Sequence, residues 1–267
     1  MGANAAIFSV NKDGGLSEAL SKLDFAEAKE GSDCSEVAKG IKFGPNETRQ
    51  EASHPHMSIF APDDNNCIFV PDLGCDCVHQ VKIESGDKLV LDKVCQIKHP
   101  GCGPRHLEFQ TSHKFAYLLN EMGSNISVFN FASGKIVDDE LQNISTLPEG
   151  WTGVQTIWDK VSINHTADIH VSHDGKFLYA SNRGHESIAI FSIEQASGLL
   201  TFVGHEDICG SIPRSFGITP EGDFLLVACQ DTHTVNTFKI DQETGKLTNT
   251  GHRAACSSPV KVHCNWK

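Results

Sequence analysis

The 267-residue sequence predicts an all-β fold, a β-propeller of four-stranded blades, on three observations. Short apolar runs rich in Phe, Tyr, Leu and Val alternate with polar turns along most of the chain, the period-two signature of strands. A group of about four such runs recurs four times. Helical periodicity is nearly absent; only SEALSKLDFAEAKEGSDCSEVAKG reads as helical, and it is expected as an insertion, at about 18–45, between strands.

The elements follow in chain order. AAIFSV is a first, isolated strand ahead of the insertion. Then come four paired runs: HPHMSIFAPDDNNCIFVPDL, GPRHLEFQTSHKFAYLLNEM, TADIHVSHDGKFLYASNRG and IPRSFGITPEGDFLLVACQD. Each is an apolar strand, a polar turn and a second apolar strand. Each is followed by a third strand (DCVHQVKI, NISVFNF, SIAIFSI, TVNTFKI) and then by a Gly-bearing turn (ESGDKL, ASGKI, EQASGLL, DQETGKL). Val81, Phe129, Phe191 and Phe238 occupy one place in the third strand, at steps of 48, 62 and 47 residues. A repeat near 48 residues with four strands is a propeller blade. The long step contains VDDELQNISTLPEGWTGVQTIWDKV, expected as a loop over about 137–160. SPVKVHC supplies a last strand, expected as the inner strand of a further blade. Residues 1–267 are therefore read as a single propeller domain.

Composition narrows the function. No run of eighteen apolar residues occurs and the N-terminus lacks a secretory signal, so a cytoplasmic protein with no membrane partner is expected. A net charge of −12 repels nucleic acid as a whole-molecule field. The ten cysteines form no C-x-x-C, and Cys75-Asp-Cys77 is too tight for a zinc knuckle, so they are read as free, mostly packing thiols.

Blade geometry then selects residues. Adjacent strands are antiparallel, so the start of each first strand and the end of each second strand share one edge. The starts give His56, Arg105, Ala167 and Arg214; the ends give Leu73, Glu121, Arg183 and Gln230; Asp168 and His170 follow Ala167. Three arginines suit a carboxylate or phosphate, which guanidinium forks grip in planar geometry. His56 and Glu121 suit proton transfer or orientation of water, and an arginine suits a developing oxyanion. The implied partner is a small anionic substrate that carries or forms a lactone. His56, Arg105, Glu121 and Arg183 are the candidate catalytic residues; Arg214, His170 and Asp168 are candidate substrate-binding residues. Structural alternatives stay open: an Arg105–Glu121 salt bridge, a solvated Arg183 at a turn tip, a core His170. His106, His113, His173, His185 and His233 are read as surface or strand residues. No cofactor or metal is expected, because the converging groups are mostly cationic.

The runs GPNETRQEASHPHMSIFAPDD, GCGPRHLEFQTSHKFAYLLNEMGSNISVF, ADIHVSHDGKFLYASNRGHESIAIFSI and PRSFGITPEGDFLLVACQDTHTVNTFKID resemble the lactonase family of seven-bladed propellers. That family contains the bacterial-type 6-phosphogluconolactonases and the fungal carboxymuconate lactonizing enzymes. The resemblance matches the family's pocket histidine to His56, its arginines to Arg105 and Arg183, and its glutamate to Glu121. It implies a lactonase acting on a phosphorylated sugar lactone, with carboxymuconate cycloisomerisation as the second enzymatic reading and a non-catalytic scaffold as the third. It also implies seven blades. About five are represented here, so an open or incomplete ring and an N-terminal truncation are expected, with the oligomeric state left open.

Overall fold

The computed structural model describes residues 3–25, 41–153, 155–157, 160–162 and 164–264. Among them the regular structure is all strand. β1 (Asn4–Ile7) and β2 (Ser21–Asp24) form a two-stranded sheet. Four sheets of four strands follow. The first holds β3 (Ile59–Ala61), β4 (Asp64–Asp72), β5 (Cys77–Glu84) and β6 (Lys88–Gln96). The second holds β7 (Pro104–Phe109), β8 (Phe115–Asn120), β9 (Asn125–Ala132) and β10 (Lys135–Ser145). A hairpin of β11 (Gln155–Ile157) and β12 (Lys160–Ser162) separates it from the third, β13 (His165–Val171), β14 (Phe177–Arg183), β15 (Ser187–Ile193) and β16 (Leu200–Asp207). The fourth holds β17 (Pro213–Ile218), β18 (Phe224–Cys229), β19 (Thr234–Ile240) and β20 (Leu247–Ala255). In every sheet, neighbouring strands are consecutive in the chain, as in propeller blades. The third-strand position read from the sequence falls at one register: Ile68 pairs with Val81, Ala116 with Phe129, Leu178 with Phe191 and Leu225 with Phe238.

Three expectations change. Within the stretch 18–45, residues Ser21–Asp24 pair with β1, Asn4 opposite Asp24. The spacing of Leu20 and Leu23 looks helical, but Leu23 and Phe25 are the buried pair, two apart as in a strand, and both pack on Val70, Val81, Leu89 and Leu91. Residues 26–40 lie outside the described residues. Within 137–160, β10 continues to Ser145 and the β11–β12 hairpin begins at Gln155. β10 lacks apolar alternation because it is an outer strand. Gln142 holds it by bonding both the N–H and the carbonyl of Leu200, each at 2.8 Å. The SPVKVHC segment is not a ladder strand. It lies beside β17, where the Val262 N–H donates to the Ser215 hydroxyl at 3.2 Å.

The chain divides into two compact units: Met1–Leu107 with Phe131–Asp138, and Glu108–Asn130 with Asp139–Lys267. In the first, Leu23, Phe25, Val70, Val81, Leu89 and Leu91 make a core cluster. In the second, one cluster centres on Tyr117, Leu119, Val128 and Phe191, another on Tyr179, Phe216, Val227 and Phe238.

Recurrent ties fix where each first strand begins. The turn after a second strand places one residue at positive φ: Asp76, Ser124, Glu186 and His233. The first three reach the chain leading into the next first strand, and His233 reaches the segment that follows β20. In the first unit the Asp76 carboxylate accepts from the N–H of Gly101 at 2.6 Å and of Gly103 at 2.8 Å. In the second, Glu186 accepts from the Ile212 N–H at 2.7 Å, and His233 Nδ1 from the Ser258 N–H at 3.0 Å. Ser124 accepts from the Asn164 side chain at 2.9 Å. The starts of β7, β13 and β17, and the polar residues they carry, are thereby fixed by side-chain hydrogen bonds from the preceding turn.

Candidate active site

The edge that joins strand starts to strand ends gathers charge in both units. In the second unit, β8 runs out at Asn120 and leaves Glu121 just past its end; β14 ends on Arg183. Antiparallel register sets His165, the first residue of β13, directly opposite Arg183. Paired residues project to one side of a sheet, and Glu121 meets both. Its Oε2 lies 3.2 Å from Arg183 Nη2 and its Oε1 3.8 Å from His165 Nδ1. Arg183 is locked from behind: Nε donates to the His165 carbonyl at 3.2 Å and Nη2 to the Thr166 carbonyl at 2.8 Å. The Glu121 and Arg183 side chains are only 3% and 2% exposed. Arg183 is thus a buried cation held in an ion pair, not a solvated residue at a turn tip.

A second cluster forms one step along β13. The strand is irregular between Thr166 and Ile169, and this departure turns Asp168 into the interior. Its carboxylate accepts from the N–H groups of Ile169 and Phe216 at 3.2 and 3.3 Å. Lys261 Nζ stands 3.5 Å from Asp168 Oδ2, and His170 Nε2 3.6 Å from Oδ1. The other His170 nitrogen lies 3.4 Å from Glu108 Oε2, and the ring meets the Phe216 ring edge-on at 4.9 Å. Burial disfavours the charged imidazole, but the flanking Asp168 and Glu108 carboxylates outweigh it and raise its pKa to about 10. The two carboxylates thus favour the imidazolium form of His170 at neutral pH.

In the first unit Arg105 is buried at the start of β7. Its Nη1 lies 2.9 Å from His106 Nε2. Guanidinium only donates, so His106 Nε2 accepts and its ring proton sits on Nδ1. The half-buried His56 ring faces His106 edge-on at 6.1 Å. His106 is thus a partner of Arg105, not a bystander on the surface.

The structure brings together Glu121 with Arg183, Asp168 with His170, and Arg105 with a histidine pair that includes His56. Arg214 is half-buried at an irregularity in β17, between Pro213 and Ser215. His165, Glu108, Lys261 and His106 were not selected from the sequence. His165 had a usable signal: it is the residue an antiparallel pairing must set against Arg183. Among the described residues, no group of three or more His, Cys, Asp or Glu is arranged to hold a metal ion.

The model of the family described as lactonase, 7-bladed beta-propeller, matches residues 3–264. A 6-phosphogluconolactonase of Formosa agariphila is 36% identical over 231 residues, 82% of this chain and 62% of that protein. A 6-phosphogluconolactonase of Bacillus subtilis is 33% identical over 214 residues, 80% of this chain and 53% of the relative. The chain therefore spans between half and two thirds of the length of these relatives. A solved structure of a periplasmic gluconolactonase from Pseudomonas aeruginosa is 28% identical, with a TM-score of 0.76 over 96% of this chain and 64% of that one. With four sheets in blade order and a match along nearly its whole length, the chain belongs to the family of seven-bladed β-propeller lactonases.

Proposed function

We propose that this chain hydrolyses a lactone, with a phosphorylated sugar lactone of the 6-phosphogluconolactone type as its substrate. The observation that carries the reading is the buried Glu121–Arg183 pair beside His165. A buried ion pair adds little to stability compared with an apolar pair of the same volume. Its presence at a strand edge that also carries Arg214 and the charged His170 therefore speaks for chemistry. The names of the relatives supply the reaction class.

Hydrolysis needs three things from the protein. Water must lose a proton as it attacks the ring carbonyl. The carbonyl oxygen needs positive charge nearby as it becomes an oxyanion. The ring oxygen must regain a proton as its bond to the carbonyl carbon breaks. In the second unit Arg214 supplies positive charge, while Arg183 is committed to Glu121 and His170 to Asp168 and Glu108. In the first unit the buried Arg105 supplies a cation beside neutral His106. The reading is tested by mixing the purified chain with freshly generated 6-phosphogluconolactone and following the product acid against the spontaneous rate. Carboxymuconate and its lactone serve as comparison substrates. Enzyme-dependent acid release from the sugar lactone supports the proposal; turnover of carboxymuconate alone, or of neither substrate, overturns it.

A further inference from the structure

We infer that His165 is the general base of this site and that Glu121, held by Arg183, is its positioning residue. The inference rests on the hydrolase reading above and assigns the proton-transfer step within it.

Three features lead there. First, Glu121 is badly placed to be the base itself. Its side chain is 3% exposed and one oxygen is engaged by Arg183 at 3.2 Å. A guanidinium beside a carboxylate stabilises its charged form and so weakens it as a base. Second, Arg183 cannot readily turn toward a substrate, because two of its nitrogens bond the carbonyls of His165 and Thr166. The Thr166 N–H closes the same knot by donating to the Glu121 carbonyl at 3.1 Å. Third, His165 is the member of the trio that reaches solvent, at 23% side-chain exposure. Its Nδ1 faces Glu121 Oε1 at 3.8 Å. That is longer than a hydrogen bond, and such catalytic contacts commonly tighten when substrate binds. Among the charged groups set against it are Glu121 beyond β8 and Arg183, its register partner at the end of β14.

The arrangement is a carboxylate–imidazole dyad. With the proton of neutral His165 directed to Nδ1 by Glu121, Nε2 is the basic nitrogen. Nε2 takes a proton from water as the water oxygen bonds to the lactone carbonyl carbon. The tetrahedral intermediate then expels the ring oxygen, and the imidazolium returns that proton to it. Lactone and water become one hydroxy acid, with His165 restored.

Two measurements decide the matter. Nitrogen NMR of selectively labelled histidine reports the tautomer without substrate. Neutral His165 is expected as the Nδ1–H form in the native chain and is expected to lose that preference in Glu121→Gln. A native Nε2–H form, or no change in Glu121→Gln, overturns the dyad. Kinetically, His165→Gln is expected to lower kcat by about 10²–10⁴-fold with KM little changed, and to remove the acidic limb of the pH–rate profile. His165→Asn, whose amide still donates toward Glu121, serves if the Gln variant does not fold. A native-like profile in a folded variant overturns the role of base. If the native chain turns over no lactone, the hydrolase reading fails and the base assignment fails with it, while the NMR result still decides the dyad.

Discussion

His170 keeps a proton that an ordinary histidine sheds near neutrality, and this ties stability to pH. Its folded pKa of about 10 exceeds the ordinary 6.5 because Asp168 and Glu108 overcome the penalty of burial. A raised folded pKa stabilises the native state fully below the unfolded value, and that stabilisation is lost as pH rises through the folded one. His170→Gln should therefore destabilise the protein at pH 6, with a deficit that narrows through pH 8 and closes near pH 10–11, as read from urea unfolding. A constant deficit would mean that the carboxylates do not hold the proton. Arg183 gives the complementary case. Arg183→Met deprives the buried Glu121 of its guanidinium and should cost about 3–5 kcal/mol, whereas Arg183→Met with Glu121→Leu should recover most of it. Equal losses in the single and double variants would show that the pair's charges are not coupled. Glu121 and Arg183 were legible in the sequence because they stand at strand ends that recur with the blade, and Asp168 and His170 because they follow closely on a recurring strand start. The roles were not. Arg183 was read as a catalytic residue from its place at a strand end, and the spacing could not show that its partners include Glu121 and two carbonyls fixed by pairing register. His165, Glu108 and Lys261 were missed because strand pairing and an irregular terminal segment bring them in, and neither leaves a spacing in the chain.

Turns and strands lock together by a device that the repeat displays twice. Tyr117 of β8 donates its hydroxyl to the Gly198 carbonyl at 3.1 Å, and Tyr179 of β14 to the Gly245 carbonyl at 2.9 Å. Each glycine lies in the turn between the third and fourth strands of the following sheet, at φ 70°. A Cβ on Gly198 would fall 2.2 Å from the Phe115 ring, and one on Gly245 2.3 Å from that of Phe177. The glycine of the turn is thus needed twice, for its backbone angle and for the close approach of an aromatic ring. Gly245→Ala should cost at least about 1–3 kcal/mol from overpacking alone, and Tyr179→Phe about 1 kcal/mol from one lost hydrogen bond. Denaturant midpoints check both; a neutral Gly245→Ala would show that the Phe177 ring moves aside freely. These turns, and the Phe and Tyr before them, were the parts of the fold most visible in the sequence, because a packed blade imposes the same residues at each repeat. β2 and β10 were hidden for opposite reasons. β2 is too short to show alternation beside a leucine pair at helical spacing, and β10 is an outer strand whose charged residues need not alternate.

At the scale of the whole chain, a net charge of −12 sets copies repelling one another, while one surface of the first unit works the other way. β2 lies against β6, the outermost strand of the neighbouring sheet. A cleft of about 560 Å³ opens beside β1, lined by Ile7, Phe8, Pro55, Ile59, Phe60 and Ile68 among others. Phe8 and Phe60 are 43% and 52% exposed there, and β1 pairs with β2 along one edge. An apolar cleft next to a strand edge favours pairing with another chain. At about 0.01 M salt the Debye length is about 30 Å and repulsion between like-charged copies is strong; at 1 M it is about 3 Å and that repulsion is screened. Sedimentation velocity should therefore show self-association that grows with salt and protein concentration. Ala6→Lys, which puts a cation on the exposed side of β1, should reduce it, since edge lysines block strand addition. Association that is indifferent to salt and to Ala6→Lys would place the contact elsewhere on the molecule.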